Sequence, residues 1–170
     1  MNQDLSSTRT GALSARREAA WLDVLAVAGL MALCAQIRLP LPFTPVPVTL
    51  QTLAVLAAPF LVGPQRATAG MLLYTGLGLL GVPVFAVAFG PTFGYILGFI
   101  AAPAAIAGFR RPAHGLLAGI AAIYGPGALW LMLWAGASPW QAFALGVVPF
   151  LPVDALKAAV VYRLAARRDS

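Results

Sequence analysis

Two ionisable residues, Asp154 and Lys157, fall inside an apolar run, Pro149-Phe-Leu-Pro-Val-Asp-Ala-Leu-Lys157. A charge at bilayer depth costs ~2.5–3.5 kcal/mol on insertion scales, so such residues usually face an interior cavity and serve function. Their i, i+3 spacing puts both on one helical face, close enough to pair. Pro149 and Pro152 break the helix around the start of this run and leave backbone groups free beside Asp154. Discontinuous helices of this kind recur at membrane substrate sites. Two plainer readings stand beside that one. Asp154 could only cap the second half-helix, and Lys157 could snorkel toward the basic end of the chain. Asp23, near the start of the first apolar run, reads as structural, and Asp4 and Glu18 precede that run.

Other candidates are polar or aromatic residues at the edges of apolar runs. Gln51 and Thr52 enter the second run and need hydrogen-bond partners or a ligand. Phe85 and Tyr95 flank an uncharged loop, and Gly90-Pro-Thr92-Phe-Gly94 is a turn in which glycine lets backbone approach a ligand. Phe89, Phe93, Trp130 and Trp134 are more simply belt or core residues, with Trp130 kept as a candidate apolar wall. Ala28 and Ala32 form a small-residue ridge on the first run, which serves either to dock another membrane protein or to pack within the bundle. The inventory excludes other chemistry. No Gly-rich phosphate loop with Lys and Ser/Thr is present. Cys34 and His114 are single, which rules out an internal disulfide and a Cys/His zinc site. No serine lies near His114, so the chain is expected not to be an enzyme and to need no metal or cofactor.

The elements that must position these residues are membrane helices. Of 170 residues, 61% are hydrophobic and 9% charged. A soluble domain carries about 25% charged residues, and a disordered chain is poor in apolar ones. A span takes ~20 residues, so the length allows six with short loops. The apolar runs are 21–37, 50–62, 67–80, 95–109, 115–134 and 141–164. Residues 1–18 are expected to be a polar cytoplasmic tail, not a cleavable signal, and residues 19–168 a single six-helix membrane domain.

Basic residues supply an independent check. Arg9, Arg16, Arg17, Arg66, Arg110, Arg111, Arg163, Arg167 and Arg168 all fall on one side if six spans alternate. Only Arg38 falls on the other. This positive-inside pattern places both termini in the cytoplasm. It also explains the net charge of +6 without nucleic acid as a partner. The expectation is thus an all-α, multi-pass protein of a lipid bilayer. On its outer side, Pro40, Pro42, Pro45 and Pro47 make 38–49 a stiff, non-helical strap. The loop 81–94 is apolar and punctuated by Gly and Pro. Non-helical apolar chain at a membrane is tolerated when buried in protein or lining a cavity.

These segments resemble a known family. The run Ile37-Arg-Leu-Pro-Leu-Pro-Phe-Thr-Pro-Val-Pro-Val-Thr-Leu-Gln51 is similar to the first outer loop of BioY proteins, the biotin-binding S components of energy-coupling factor (ECF) transporters. The likeness continues through Gly63-Pro-Gln-Arg66, Tyr74-Thr-Gly-Leu-Gly-Leu-Leu-Gly-Val-Pro-Val-Phe85, Gly90-Pro-Thr-Phe-Gly-Tyr95 and Pro149 to Lys157. It covers nearly the whole chain from Trp21. Ala86-Val-Ala-Phe89 departs from it, where the family commonly has a glycine-rich stretch.

The resemblance implies a six-helix S-component fold in the inner or plasma membrane of a prokaryote. It implies biotin bound from outside, with a transmembrane coupling protein and cytoplasmic ATPases as partners. It also implies ligand contacts at Asp154 and Lys157, and coupling-protein contacts at Ala28 and Ala32. Biotin's ureido ring offers N–H donors and a polarised carbonyl, which suit Asp154 and Lys157 respectively. Its bicycle and valeryl chain suit walls such as Phe85, Tyr95 and Trp130. The opposite pose pairs Lys157 with the valerate carboxylate. A self-sufficient secondary transporter is the alternative function; it would require a proton or sodium relay along the bundle.

Overall fold

Glycine and proline decide where the helices stop and start. The computed structural model describes residues 2–85 and 90–167, with side chains from residue 18 onward. Helix α1 (Asn2–Gln36) runs without a break from the polar tail into the first apolar run. Strands β1 (Arg38–Leu39) and β2 (Val48–Thr49) pair antiparallel, Arg38 opposite Thr49, so the proline strap is a hairpin excursion. Helices α2 (Gln51–Val62) and α3 (Pro64–Leu79) meet at Gly63, whose φ of 87° is open to glycine at little cost. Helices α4 (Phe93–Ala107) and α5 (Pro112–Ala135) follow, α5 opening on Pro112 and closing on left-handed Gly136.

The last expected span is two helices. Helix α6 (Pro139–Gly146) opens on a capping box between Ser138 and Gln141. Helix α7 (Leu151–Ala166) leaves it at a bend of 55°. Residues 18–36 of α1 and the whole of α5 are long and apolar enough to cross a membrane, and α6 with α7 make a third candidate if the bent pair is one span. Helices α2 and α4 are apolar but shorter, at 12 and 15 residues. The architecture among the described residues is therefore all-α but for one two-residue hairpin.

Packing is built on small residues. Helix α4 lies along α5 more extensively than any other pair. A side chain at Gly98 would come within 2.7 Å of the Ala122 carbonyl oxygen, so glycine there lets the two backbones touch. Met31, Val55, Leu56, Met71, Tyr74, Ile123, Leu131 and Val161 are fully enclosed. Trp21, Leu22, Leu33, Leu133, Leu156 and Leu164 are exposed, an apolar exterior suited to lipid.

Charge separates the two ends of the bundle. The start of α3 lies against the end of α4, and the start of α5 against the end of α7. Arg66, Arg110, Arg111 and Arg163 accordingly share one end. Arg66 pairs there with Asp23 of α1, the structural role expected of that acid. Arg38 stands at the opposite end with the strap. The side chains of Arg9, Arg16 and Arg17, the residue Arg168, and the segment Ala86 to Phe89 lie outside the described residues.

The ridge of Ala28 and Ala32 faces inward. Ala28 is buried in the core and Ala32 packs against that core. In the chain by itself this is an internal packing surface, not an open groove. Residues without long side chains there let α1 approach its neighbours closely.

Candidate functional site

The break between α6 and α7 sets the position of the acid and the amine. Leu151 starts α7, Phe150 is its N-cap, and Pro152 sits in the first turn, where its missing N–H costs nothing. Asp154 thus falls within the first turn, its N–H donating to the Phe150 carbonyl at 2.8 Å. It is not the N-cap of α7, a position held by Phe150, contrary to the N-cap reading. The carboxylate turns into the bundle instead.

There it is fully engaged. Lys157 Nζ donates to Asp154 Oδ1 at 2.7 Å, and the Tyr124 hydroxyl donates to Oδ2 at 2.8 Å. The side chains of Lys157 and Asp154 are 9% and 6% exposed, so this is a buried ion pair with a hydrogen bond on each acid oxygen. Lys157 Nζ also donates to the Thr49 carbonyl of β2 at 2.7 Å. The amine therefore reaches toward the strap and does not snorkel toward the basic end. Thr44 ties the strap a second time, its hydroxyl donating to the Leu145 carbonyl of α6 at 2.7 Å.

Between strap and helices lies a cavity of about 470 Å³, counting its open mouth. Asp154 and Lys157 supply its charged groups, with Tyr124 beside them. Val46, Pro47, Val48 and Thr49 of the strap contribute its roof. Gln51 and Thr52 line it from α2, Tyr95, Ile96 and Phe99 from α4, and Phe150 from the break. Small-molecule sites typically combine mostly apolar walls with a few converging polar groups.

Five of the eight candidate site residues come together here: Asp154, Lys157, Tyr95, Thr92 and Gln51. Tyr95 spends its hydroxyl on the Gly146 carbonyl at 2.7 Å and so offers ring surface to the cavity. Gln51 donates to the Tyr74 hydroxyl at 2.9 Å and takes a bond from the Thr49 hydroxyl at 3.3 Å. Phe85, Gly94 and Trp130 are not among the lining residues. Phe85 packs edge-on against Tyr74 over Gly78 of α3. Trp130 donates to the Gly90 carbonyl at 3.0 Å and stacks edge-on with Phe93, which holds the turn before α4. Gly94 lies against Trp130 and the Pro126 carbonyl, so its smallness serves the α4–α5 contact.

Sequence reasoning missed Tyr124, Phe99 and Phe150. Tyr124 carried a usable signal: a hydroxyl deep within a long apolar helix needs a partner, and a buried carboxylate is the strongest acceptor on offer. No comparable signal distinguishes Phe99 or Phe150 from other core aromatics.

Comparison with known proteins places this geometry. The model of the BioY family matches residues 6–169. A probable biotin transporter BioY of Pyrococcus horikoshii is 41% identical over 133 residues, covering 72% of this chain and 80% of the relative. The biotin transporter BioY of Thermotoga maritima is 31% identical over 141 residues, covering 75% and 83%. A crystal structure of the S-component for biotin from an ECF-type ABC transporter superposes with a TM-score of 0.80, over 91% of this chain and 93% of that one, at 22% identity, and so shares the fold. The resemblance carried by the strap, the turn before α4 and the Asp154 segment therefore holds across nearly the full length, and the chain belongs to the BioY family.

Proposed function

We propose that this chain captures biotin outside the membrane and imports it as the S component of an ECF-type transporter. One observation carries the reading: a buried, hydrogen-bonded acid–amine pair at the polar end of a strap-roofed cavity, in a chain of the BioY family. Relatives named as biotin transporters at 31–41% identity support the ligand. BioY proteins are transporters, so the chain is not an enzyme.

The chemistry of the site fits a cyclic urea. Lys157 has three donors and spends two of them on Asp154 and Thr49. The third can donate to the ureido oxygen. Each Asp154 oxygen keeps a second lone pair that can accept a ureido N–H. Tyr95, Phe99 and Phe150 supply walls for the bicycle. Asp154, Lys157, Tyr95, Thr92 and Gln51 are the contacts proposed here.

The shared S-component fold supports an ECF module as partner, that is, a transmembrane coupling protein with cytoplasmic ATPases. We place the chain in the inner or plasma membrane of a prokaryote, with six crossings, α6 and α7 forming one broken span. The gathering of Arg66, Arg110, Arg111 and Arg163 at one end supports cytoplasmic termini. A self-sufficient transporter would need an ionisable relay. Among the described residues, no buried acid, lysine, arginine or histidine accompanies Asp154 and Lys157.

Removing one partner of a buried charged pair costs about 3 kcal/mol or more, so Asp154→Asn and Lys157→Ala are each expected to weaken biotin binding about 100-fold while the protein still inserts. Titration of purified protein with labelled biotin measures this. Wild-type affinity in both variants would remove the pair from the site. In liposomes, uptake is expected only with the coupling protein and ATPases present; uptake by this chain alone would favour the alternative.

A further inference from the structure

Helices α5 and α7 meet within the bundle, where the Tyr124 hydroxyl donates to Asp154 at 2.8 Å. The stretch of α5 before that contact and the stretch of α7 after it bound an apolar groove of about 730 Å³, counting its open side. With a ~1.5 Å rise per residue, Arg163 lies ~14 Å along α7 from Asp154 and Ala113 ~16 Å along α5 from Tyr124, so the start of α5 is level with the end of α7. Leu116, Leu117 and Ile120 form the α5 wall. Ala158 and Ala159 form the α7 wall, and such small side chains leave the groove unfilled. Tyr162 and Arg163 complete it at the arginine-rich end. Leu117 and Tyr162 are exposed, so the groove opens on the exterior of the bundle.

The charge around this groove has one sign. Arg163 lines it, and Arg110 and Arg111 come just before Ala113, which lines it at the start of α5. The chain has no Asp or Glu between Asp23 and Asp154, and those two acids are paired with Arg66 and Lys157. Arg110, Arg111 and Arg163 are in neither of these ion pairs of the described residues. Arg111 is also the N-cap of α5 and makes no side-chain cap bond, so the first-turn N–H groups add positive potential at the same place.

We propose that this groove seats one anionic phospholipid, its phosphate held by Arg163 with Arg110 and Arg111 beside it, and one tail lying along Ala158, Ala159 and Ile120. The inference goes beyond biotin capture and needs only that both helices cross a bilayer. An apolar channel with cations at one end matches a molecule with an anion at one end and a hydrocarbon chain at the other. A linear chain fills a groove walled by alanines and regains the dispersion contacts that an empty one forfeits. The Tyr162 ring beside Arg163 suits the headgroup level, where tyrosine is enriched in membrane proteins. A partner helix without acids would leave three guanidinium groups with no counter-charge.

The test is native mass spectrometry of the purified full chain in neutral detergent, with equal amounts of phosphatidylglycerol and phosphatidylcholine of the same acyl chains. The two lipids share the phosphate and differ in net charge. The wild type is expected to retain one phosphatidylglycerol in about tenfold preference, and added salt should erode that preference. A basic residue at the headgroup contributes about fivefold, so Arg163→Gln is expected to lower the preference to about twofold. Ala159→Trp fills the groove while every charge stays, and is expected to lower it as far. Both positions are exposed and outside the biotin cavity, so both variants should bind biotin as the wild type does. Equal retention of the two lipids by the wild type would overturn the proposal, and so would a tenfold preference that survives Arg163→Gln. A preference that survives Ala159→Trp would show attraction by surface charge without a seat in the groove, which also overturns it. A dimer lost in Ala159→Trp would give the groove to a second copy of the chain instead. Lipid retention is read without biotin, so failure of the biotin reading would leave this result standing.

Discussion

Asp154 is held by two donors on two different oxygens, Lys157 on one and Tyr124 on the other. That arrangement fixes the carboxylate plane before any ligand arrives, which lowers the cost of ordering it on binding. Tyr124→Phe removes one donor and leaves Oδ2 short of a partner at a cost of about 1–3 kcal/mol, so biotin affinity is expected to fall roughly tenfold in a fluorescence titration. Unchanged affinity would show that Lys157 alone orients the acid. Tyr95→Phe is expected to behave differently. Its hydroxyl serves Gly146 rather than the cavity, so the loss should appear as about 1 kcal/mol of thermal stability with a smaller effect on binding. At this scale the acid and the amine were legible because charges in an apolar run are costly and therefore informative. Phe85, Trp130 and Gly94 were not, because residue type says that an aromatic or a glycine packs against something without saying what it packs against.

The elements give the site its roof and its floor. The strap is fastened to α6 by Thr44 and to α7 by Lys157. Thr44→Val removes the first tie, worth about 1 kcal/mol, and is expected to speed release of labelled biotin roughly fivefold in a chase experiment. An unaltered release rate would mean that the strap does not gate the cavity. The floor depends on α4 and α5 lying in backbone contact at Gly98. Gly98→Leu forces the helices apart or strains them, and a loss of about 2 kcal/mol or more is expected in detergent unfolding. Proline spacing made the non-helical strap predictable, since proline removes donors and fixes φ. Its return as a hairpin pairing Arg38 with Thr49, with the Thr49 carbonyl taking a bond from Lys157 108 residues further along, was not legible from proline spacing, which fixes φ but not strand register.

For the whole molecule, the arrangement of charge predicts its orientation. Labelling of Leu39→Cys is expected from outside the cell, and of Gly108→Cys from inside, each in a chain whose buried Cys34 is replaced by alanine. The reverse pattern would invert the topology and place the strap in the cytoplasm. The sequence by itself determined the membrane class and the family, because apolar content and long motifs are properties of the chain read in order. It also determined that Asp154 and Lys157 must find partners, since neither can sit unpaired in an apolar helix. Only the tertiary structure decided which partners: Tyr124 from α5 and Thr49 from the strap. The same packing buried Ala28 in the core. Those outcomes depend on which helix faces press together, and that choice is made by the three-dimensional fit of side chains far apart in the chain.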